Sequence, residues 1–245
     1  MTRRFLALLS ALLIAALPAR ADFGAGGQYL GFWAGSQPVV LYRAPCVAIT
    51  DNLTEYTVTV VPAGLSDSTP VLIVLGILSE DGASVYGVSS ATIEGVAATE
   101  IVDDGGVGID SSAMYTSATV ITGAASVEAV VTFTEEITST VFCAWALENL
   151  SSITATSVNS DHQALEVALD LTLATNTVGG YAIGLCGSSN GASDFTWAVL
   201  NEVEDTDSVE ISYSNADGVT TGSSMAVTCT STAGASNSGS AAAFR

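Results

Sequence analysis

The 245-residue chain sets 25 acidic side chains against five arginines and no lysine, a formal net charge of −20. That balance leaves no basic stripe for phosphate neutralisation, which excludes nucleic-acid binding and disfavours adsorption to an anionic membrane surface. Apolar residues make up 49% of the chain but aromatics only 7%, so the interior must be Ala, Val, Leu and Ile, with Ser, Thr and Gly serving pleated surfaces and turns.

Residues 1–21 read MTRRFLALLSALLIAALPARA. Arg3 and Arg4 form a positive start, 5–17 an apolar core, and Ala19-Arg20-Ala21 a small-residue cleavage site, the three parts of a secretory signal peptide. The apolar run is shorter than the ~20 residues a membrane span needs. Cleavage removes three arginines and no acid, leaving a formal charge of 2 − 25 = −23. No second apolar span follows, so the mature product is expected to lack an integral membrane segment and to be periplasmic or extracellular. Residues 22–37 are a Gly-rich lead-in bearing Phe23, Tyr29, Phe32 and Trp33. Residues 38–245 are expected to form a single β-sandwich domain.

Strand-like runs then follow at close intervals, at 39–50 (interrupted at Pro45), 55–61, 71–78, 84–93, 96–102 and 114–121. The stretch 125–149 holds two runs of alternating character. Val127, Ala129, Val131 and Phe133 share one face of the first, and Val141, Cys143, Trp145 and Leu147 one face of the second. The period of two predicts a hairpin with one buried face. A polar break at 151–160 precedes the clearest alternation, Leu165, Val167, Leu169, Leu171 and Leu173, and further runs cover 180–187, 195–203, 208–214, 223–231 and 240–245. Turns such as Pro62-Ala63-Gly64 and Asp217-Gly218 separate them. No stretch sustains a 3.6-residue period. The expected fold is all-β, a two-sheet antiparallel sandwich of jelly-roll or concanavalin-like type, with almost no helix outside the signal peptide and no convincing internal repeat.

The four cysteines, Cys46, Cys143, Cys186 and Cys229, are even in number in a chain bound for an oxidising compartment. They are candidates for two disulfides, with three connectivities open and buried free thiols the alternative. Their spacing does not suit zinc. Cys143 and Cys229 run in phase with core-facing neighbours, whereas Cys186 is out of phase with Tyr181, Ile183 and Leu185.

No catalytic set emerges. Gly187-Ser188-Ser189-Asn190-Gly191 matches G-x-S-x-G, but the motif works between a strand and a helix, and here a strand follows. The one histidine, His162, is read as a solvated loop residue. Glu135-Glu136 and the cluster Glu202, Glu204, Asp205, Asp207 and Glu210 are carboxylate candidates for glycoside hydrolysis, read first as solvated turn charges. No metal site is assigned and no cofactor is required; calcium is the alternative, through Asp103, Asp104 and Asp110 or the 202–207 cluster, with ordinary acidic turns preferred.

Several phrases taken together carry a resemblance: 91–99 (ATIEGVAAT), Val130-Val131-Thr132-Phe133, Ala144-Trp145-Ala146-Leu147, Gly179-Gly180-Tyr181-Ala182-Ile183, Phe195-Thr196-Trp197 and Ala241-Ala242-Ala243-Phe244. Over roughly 71–245 the chain resembles β-sandwich structural proteins of tailed phages and prophages of marine and α-proteobacteria, of the tail, fibre or head-decoration kind. The resemblance implies a sandwich with a display or adhesion role, a virion location among its settings, and no site residues carried over. The signal peptide favours an exported or surface relative. The expected function is therefore a non-enzymatic exported sandwich with a structural, adhesive or surface-display role and protein or surface-glycan partners. The alternative is a carbohydrate-binding module, calcium-dependent or not, with Trp33, Tyr86, Tyr115, Trp197 and Tyr213 as the aromatics to place.

Overall fold

A computed structural model describes residues 39–66, 68–81, 87–104, 110–122, 126–164, 166–189, 193–206, 211–232 and 236–245. The expected signal peptide and Gly-rich lead-in, residues 1–37, lie outside them. Among the described residues there is no helix, and none long and apolar enough to cross a membrane. The strands of the first half are β1 (Val40–Ile49), β2 (Leu53–Val60), β3 (Pro70–Glu80), β4 (Val88–Ile93), β5 (Val96–Ala97), β6 (Thr99–Asp103), β7 (Asp110–Thr116), β8 (Ile121–Thr122), β9 (Val127–Ile137) and β10 (Ser139–Glu148). Those of the second are β11 (Ser157–Ala164), β12 (Ala168–Asp170), β13 (Tyr181–Ser188), β14 (Phe195–Ala198), β15 (Asn201–Thr206), β16 (Ser212–Val219), β17 (Thr228–Ser231) and β18 (Ser236–Phe244).

All pairing is antiparallel. The first half forms a sheet in the order β1-β10-β3-β7-β6, with β8 on β3, and a second in the order β2-β9-β4-β5. The second half forms β11-β18-β13-β16-β15 and β12-β17-β14. Set β8 aside and count β5 and β6 as one interrupted strand. Each half then has eight strands, ordered 1-8-3-6-5 in one sheet and 2-7-4 in the other, with the first part of strand five adding to strand four in the first half only. Pairing first with last, second with seventh and third with sixth is what results when one long hairpin rolls up on itself, the jelly roll. The repeat that the sequence hides is therefore present as repeated strand order.

In place of the single sandwich expected over 38–245, each half forms an antiparallel sandwich of its own, and the two stack into four layers with three interiors. Tyr56, Val58, Val131, Phe133, Phe142 and their neighbours fill the first jelly roll. Leu169, Leu171, Leu173, Trp197, Met225 and Val227 fill the second. Between them the two larger sheets pack face to face. Leu72, Val74, Met114, Val141, Trp145 and Leu147 on one side meet Ile183, Leu185, Tyr213, Ala242 and Phe244 on the other. By transfer arithmetic, burying Trp145, Leu72 and Phe244 in this seam is together worth roughly 5–9 kcal/mol.

This layering explains the sequence pattern. β3 and β10 are covered on both faces and read as near-continuous apolar runs, whereas β2 and β9 belong to an outer sheet and alternate buried with exposed. It also corrects the hairpin expected over 125–149. β9 pairs with β2 and β4, while β10 pairs with β1 and β3, so the chain crosses between sheets at Thr138. The phases were as read, but Phe142, Ala144 and Ala146 are buried too, on the opposite face from Trp145. Of the alternation after residue 164, Leu169, Leu171 and Leu173 reach the core while Val167 is exposed. The polar break supplies the link between jelly rolls, but β11 already begins at Ser157.

Candidate functional site

Among the described residues one charged pair joins the halves. Arg43, on edge strand β1, grips Asp217 of β16 with Nε–Oδ2 at 2.5 Å and Nη2–Oδ1 at 2.7 Å. The Tyr181 hydroxyl donates to the same carboxylate at 3.1 Å. Beside them Glu204 accepts from the Cys46 backbone N–H at 3.2 Å, from Tyr213 at 3.3 Å and from Asn215 at 3.3 Å. Bidentate guanidinium–carboxylate geometry fixes orientation as well as charge, so this set keys one jelly roll to the other.

His162 is not a loop residue. It sits in β11, part-buried, in register with Ser238 of β18, and its Nε2 lies 3.0 Å from Ser236 Oγ. Beyond Ser236 lies Asp110, the first residue of β7, only 2% exposed. Asp110 stands in register with Glu80 of β3, which stands in register with Ser139 of β10, so the three side chains share the seam face of their sheet. Burial pushes the Asp110 carboxyl up to about 7; the Ser236 hydroxyl and the Ser189 backbone pull it back, and the nearby charges of Glu80 and Asp104 push it further up. Among the described residues neither Asp110 oxygen has a well-formed hydrogen bond, nor do the buried Ser139 and Ser238 hydroxyls.

The order acid–serine–histidine matters chemically. A nucleophilic serine needs its base between itself and the orienting acid. Here the serine is in the middle, hydrogen-bonded to a part-exposed imidazole on one side and facing a buried carboxyl on the other, which lines the three up as a relay path.

The other sequence candidates disperse. Glu135 and Glu136 are both exposed on β9. The acidic cluster is not a turn but edge strand β15, where Glu202 is exposed, with its carboxyl nudged up by desolvation, and Asp205 accepts from the Phe195 N–H at 2.9 Å. Asp207 and Glu210 lie outside the described residues. Asp104 is held by the Ser112 N–H at 2.9 Å and its hydroxyl at 3.1 Å. Among the described residues no three His, Cys, Asp or Glu side chains converge as metal ligands. In the G-x-S-x-G match the motif serine, Ser189, is half-buried just past the end of β13, Asn190 and Gly191 lie outside the described residues, and β14 follows as a strand.

Tyr115, Trp197 and Tyr213 are all buried and offer no open ring to a sugar; Trp33 and Tyr86 lie outside the described residues. A shallow cleft of about 280 Å³ opens beside β6, lined by Thr99, Glu100, Ile101, Thr116, Ile153 and Val158 among others, with Glu100 its one charged side chain.

The cysteines pair Cys46–Cys143 and Cys186–Cys229. The odd phase of Cys186 has its reason here. Ile183 and Leu185 face the seam, while Cys186 faces the interior of the second jelly roll, where Cys229 waits on the other sheet. Sequence reasoning missed the Arg43–Asp217 key, 174 residues apart, and the Asp110–Ser236–His162 relay, in which His162 and Ser236 alone are separated by 74 residues. No protein-family model matches the chain, and a search of curated proteins finds no match.

Proposed function

We propose that the protein is an exported, non-catalytic double jelly roll with a structural, adhesive or surface-display role, in the manner of the phage-type sandwiches its phrases resemble. One observation carries this reading: the polar side chains that the fold brings together are engaged with one another. Arg43, Asp217, Glu204 and Tyr213 key the halves together, Asp104 holds Ser112, and the serine beside the one histidine is flanked by acid and imidazole in the wrong order for attack. Both disulfides fit an oxidising compartment. Jelly rolls host capsid proteins and lectins alike, so the fold alone does not choose among binding roles.

Two measurements test it. Cells producing the full chain with a C-terminal tag are fractionated, with the tagged protein expected outside the cytoplasm and shortened by its leader; full-length protein retained in the cytoplasm overturns the export half. The purified protein is treated with a serine-directed fluorophosphonate and a panel of chromogenic esters and glycosides. No labelling or turnover is expected; labelling at Ser236 that is lost in His162→Gln overturns the non-catalytic half.

A further inference from the structure

The seam between the jelly rolls is apolar at one end and polar at the other. Trp145, Leu72, Ala242 and Phe244 pack the first. At the second, Ser112 Oγ and Ser240 Oγ meet at 2.8 Å, which fixes β7 against β18. One step further along each strand on that face come Asp110 and Ser238, both almost wholly buried. Among the described residues, the groups that face Asp110 are Glu80 from β3, Asp104 from the end of β6, Ser236 with His162 behind it from β18 and β11, and the Ser189 backbone after β13. None of these is a fixed cation. The mature chain has two arginines: Arg43 is bound to Asp217, and Arg245 follows the far end of β18. A buried carboxylate beside a second carboxyl, without a cation, costs several kcal/mol and is relieved by taking up a proton.

We propose that Asp110 is a proton-operated latch on this end of the seam, closing the two jelly rolls together when protonated and loosening them when it ionises. On release the carboxyl O–H bond breaks and the proton passes to water by way of the Ser236 hydroxyl and the His162 imidazole. The sign follows from linkage. The closed seam holds the proton up to about pH 7, whereas a hydrated aspartate in an opened seam holds it only to about 3.9. Below the lower value both states are protonated and the latch is fully closed. Between the two, the opening constant rises by up to about tenfold per pH unit, and above the upper value it levels off.

Hydrogen exchange of the purified, disulfide-bonded protein between pH 5 and 8.5, corrected for the intrinsic pH dependence of exchange, reads this directly. In peptides covering 110–116 and 236–244 the opening constant is expected to climb towards pH 7 and then flatten. Asp110→Asn, isosteric and neutral, is expected to hold the seam closed throughout. Glu80→Gln removes a neighbouring charge and is expected to move the midpoint to lower pH; His162→Gln is expected to keep the pH dependence. A flat wild-type profile, the same rise in Asp110→Asn, or loss of the rise in His162→Gln alone overturns the latch. So does suppression of the opening at pH 8 by millimolar calcium and its return with EDTA, which would make the closing agent a metal ion.

Discussion

The two jelly rolls share a strand order and fill it differently. In the first, Tyr56 sits edge-on to Phe133 at 5.8 Å and tilted to Phe142 at 6.0 Å, so rings from three strands supply the volume. In the second, an indole takes the centre, with Phe195 two residues before it: a Cβ on Gly184 would lie 2.7 Å from the Trp197 ring, and the missing side chain on β13 is the seat of the tryptophan. Their staples differ as well. Cys46–Cys143 ties adjacent strands of one sheet, whereas Cys186–Cys229 ties one sheet to the other. The comparison teaches that hairpin pairing and two-residue periodicity set the rolled topology, while any set of side chains of the right total volume can occupy it.

The largest expected break is Trp197→Ala, at about 3–5 kcal/mol in denaturant unfolding. It empties the space over Gly184 and leaves the buried Ser214 hydroxyl without its indole N–H donor at 2.9 Å. Phe133→Ala in the first jelly roll should cost less, because Tyr56 and Phe142 can lean into the gap. Equal costs would show the ring cluster to be as rigid as the indole seat.

Removing the staples comes next. Cys186→Ala/Cys229→Ala and Cys46→Ala/Cys143→Ala should each cost about 2–4 kcal/mol. Their sequence separations of 43 and 97 give the second pair the larger chain-entropy effect, by about 0.7 kcal/mol. The reverse order in calorimetry would mean that the β1–β10 ladder holds that edge without the bond, and that the cross-sheet tie matters through the folded state.

Much of this was legible and some was not, for physical reasons. Outer strands with one wet face, such as β2 and β9, declare themselves by alternation. Inner strands β3 and β10 are dry on both faces and lose the period, so the sequence marks them as strands without naming their neighbours, and consecutive runs such as β9 and β10 look like a hairpin when they belong to different sheets. The duplication is invisible because only strand order repeats: Gly184 and Trp197 in one half do the work of Phe133 and Phe142 in the other. The relay was hidden for a related cause. Asp110 follows a Gly-rich acidic stretch of sequence and looks solvated there, and only its register with Glu80 puts it in the seam. A hint existed in the run Asp110-Ser111-Ser112-Ala113-Met114, small and apolar enough to be a buried strand.

The halves are also compared at their junction. Arg43→Met removes the guanidinium while keeping much of the stem, leaving Asp217, whose side chain is 2% exposed, without its cation. Because Arg43 itself is 44% exposed, the loss is discounted from the fully buried case to about 1–3 kcal/mol. Arg43→Met/Asp217→Asn should recover part of it. Failure of the double variant to recover anything would assign the cost to the Arg43 stem and not to the charge.

The smallest effect probes what the two outer faces meet. Thr57 on β2 and Thr196 on β14 are exposed on the outer sheets of the first and second jelly rolls. Thr→Val keeps the β-branch and the shape, so strand propensity is held constant and only hydration changes. Each substitution should alter stability by no more than about 0.5 kcal/mol if its face is open to water. The informative result is an inequality. A change above about 1 kcal/mol at one position only would show that face to be covered, and would distinguish the two jelly rolls by the surface each presents to a partner, a distinction that strand order, being the same in both, is unable to supply.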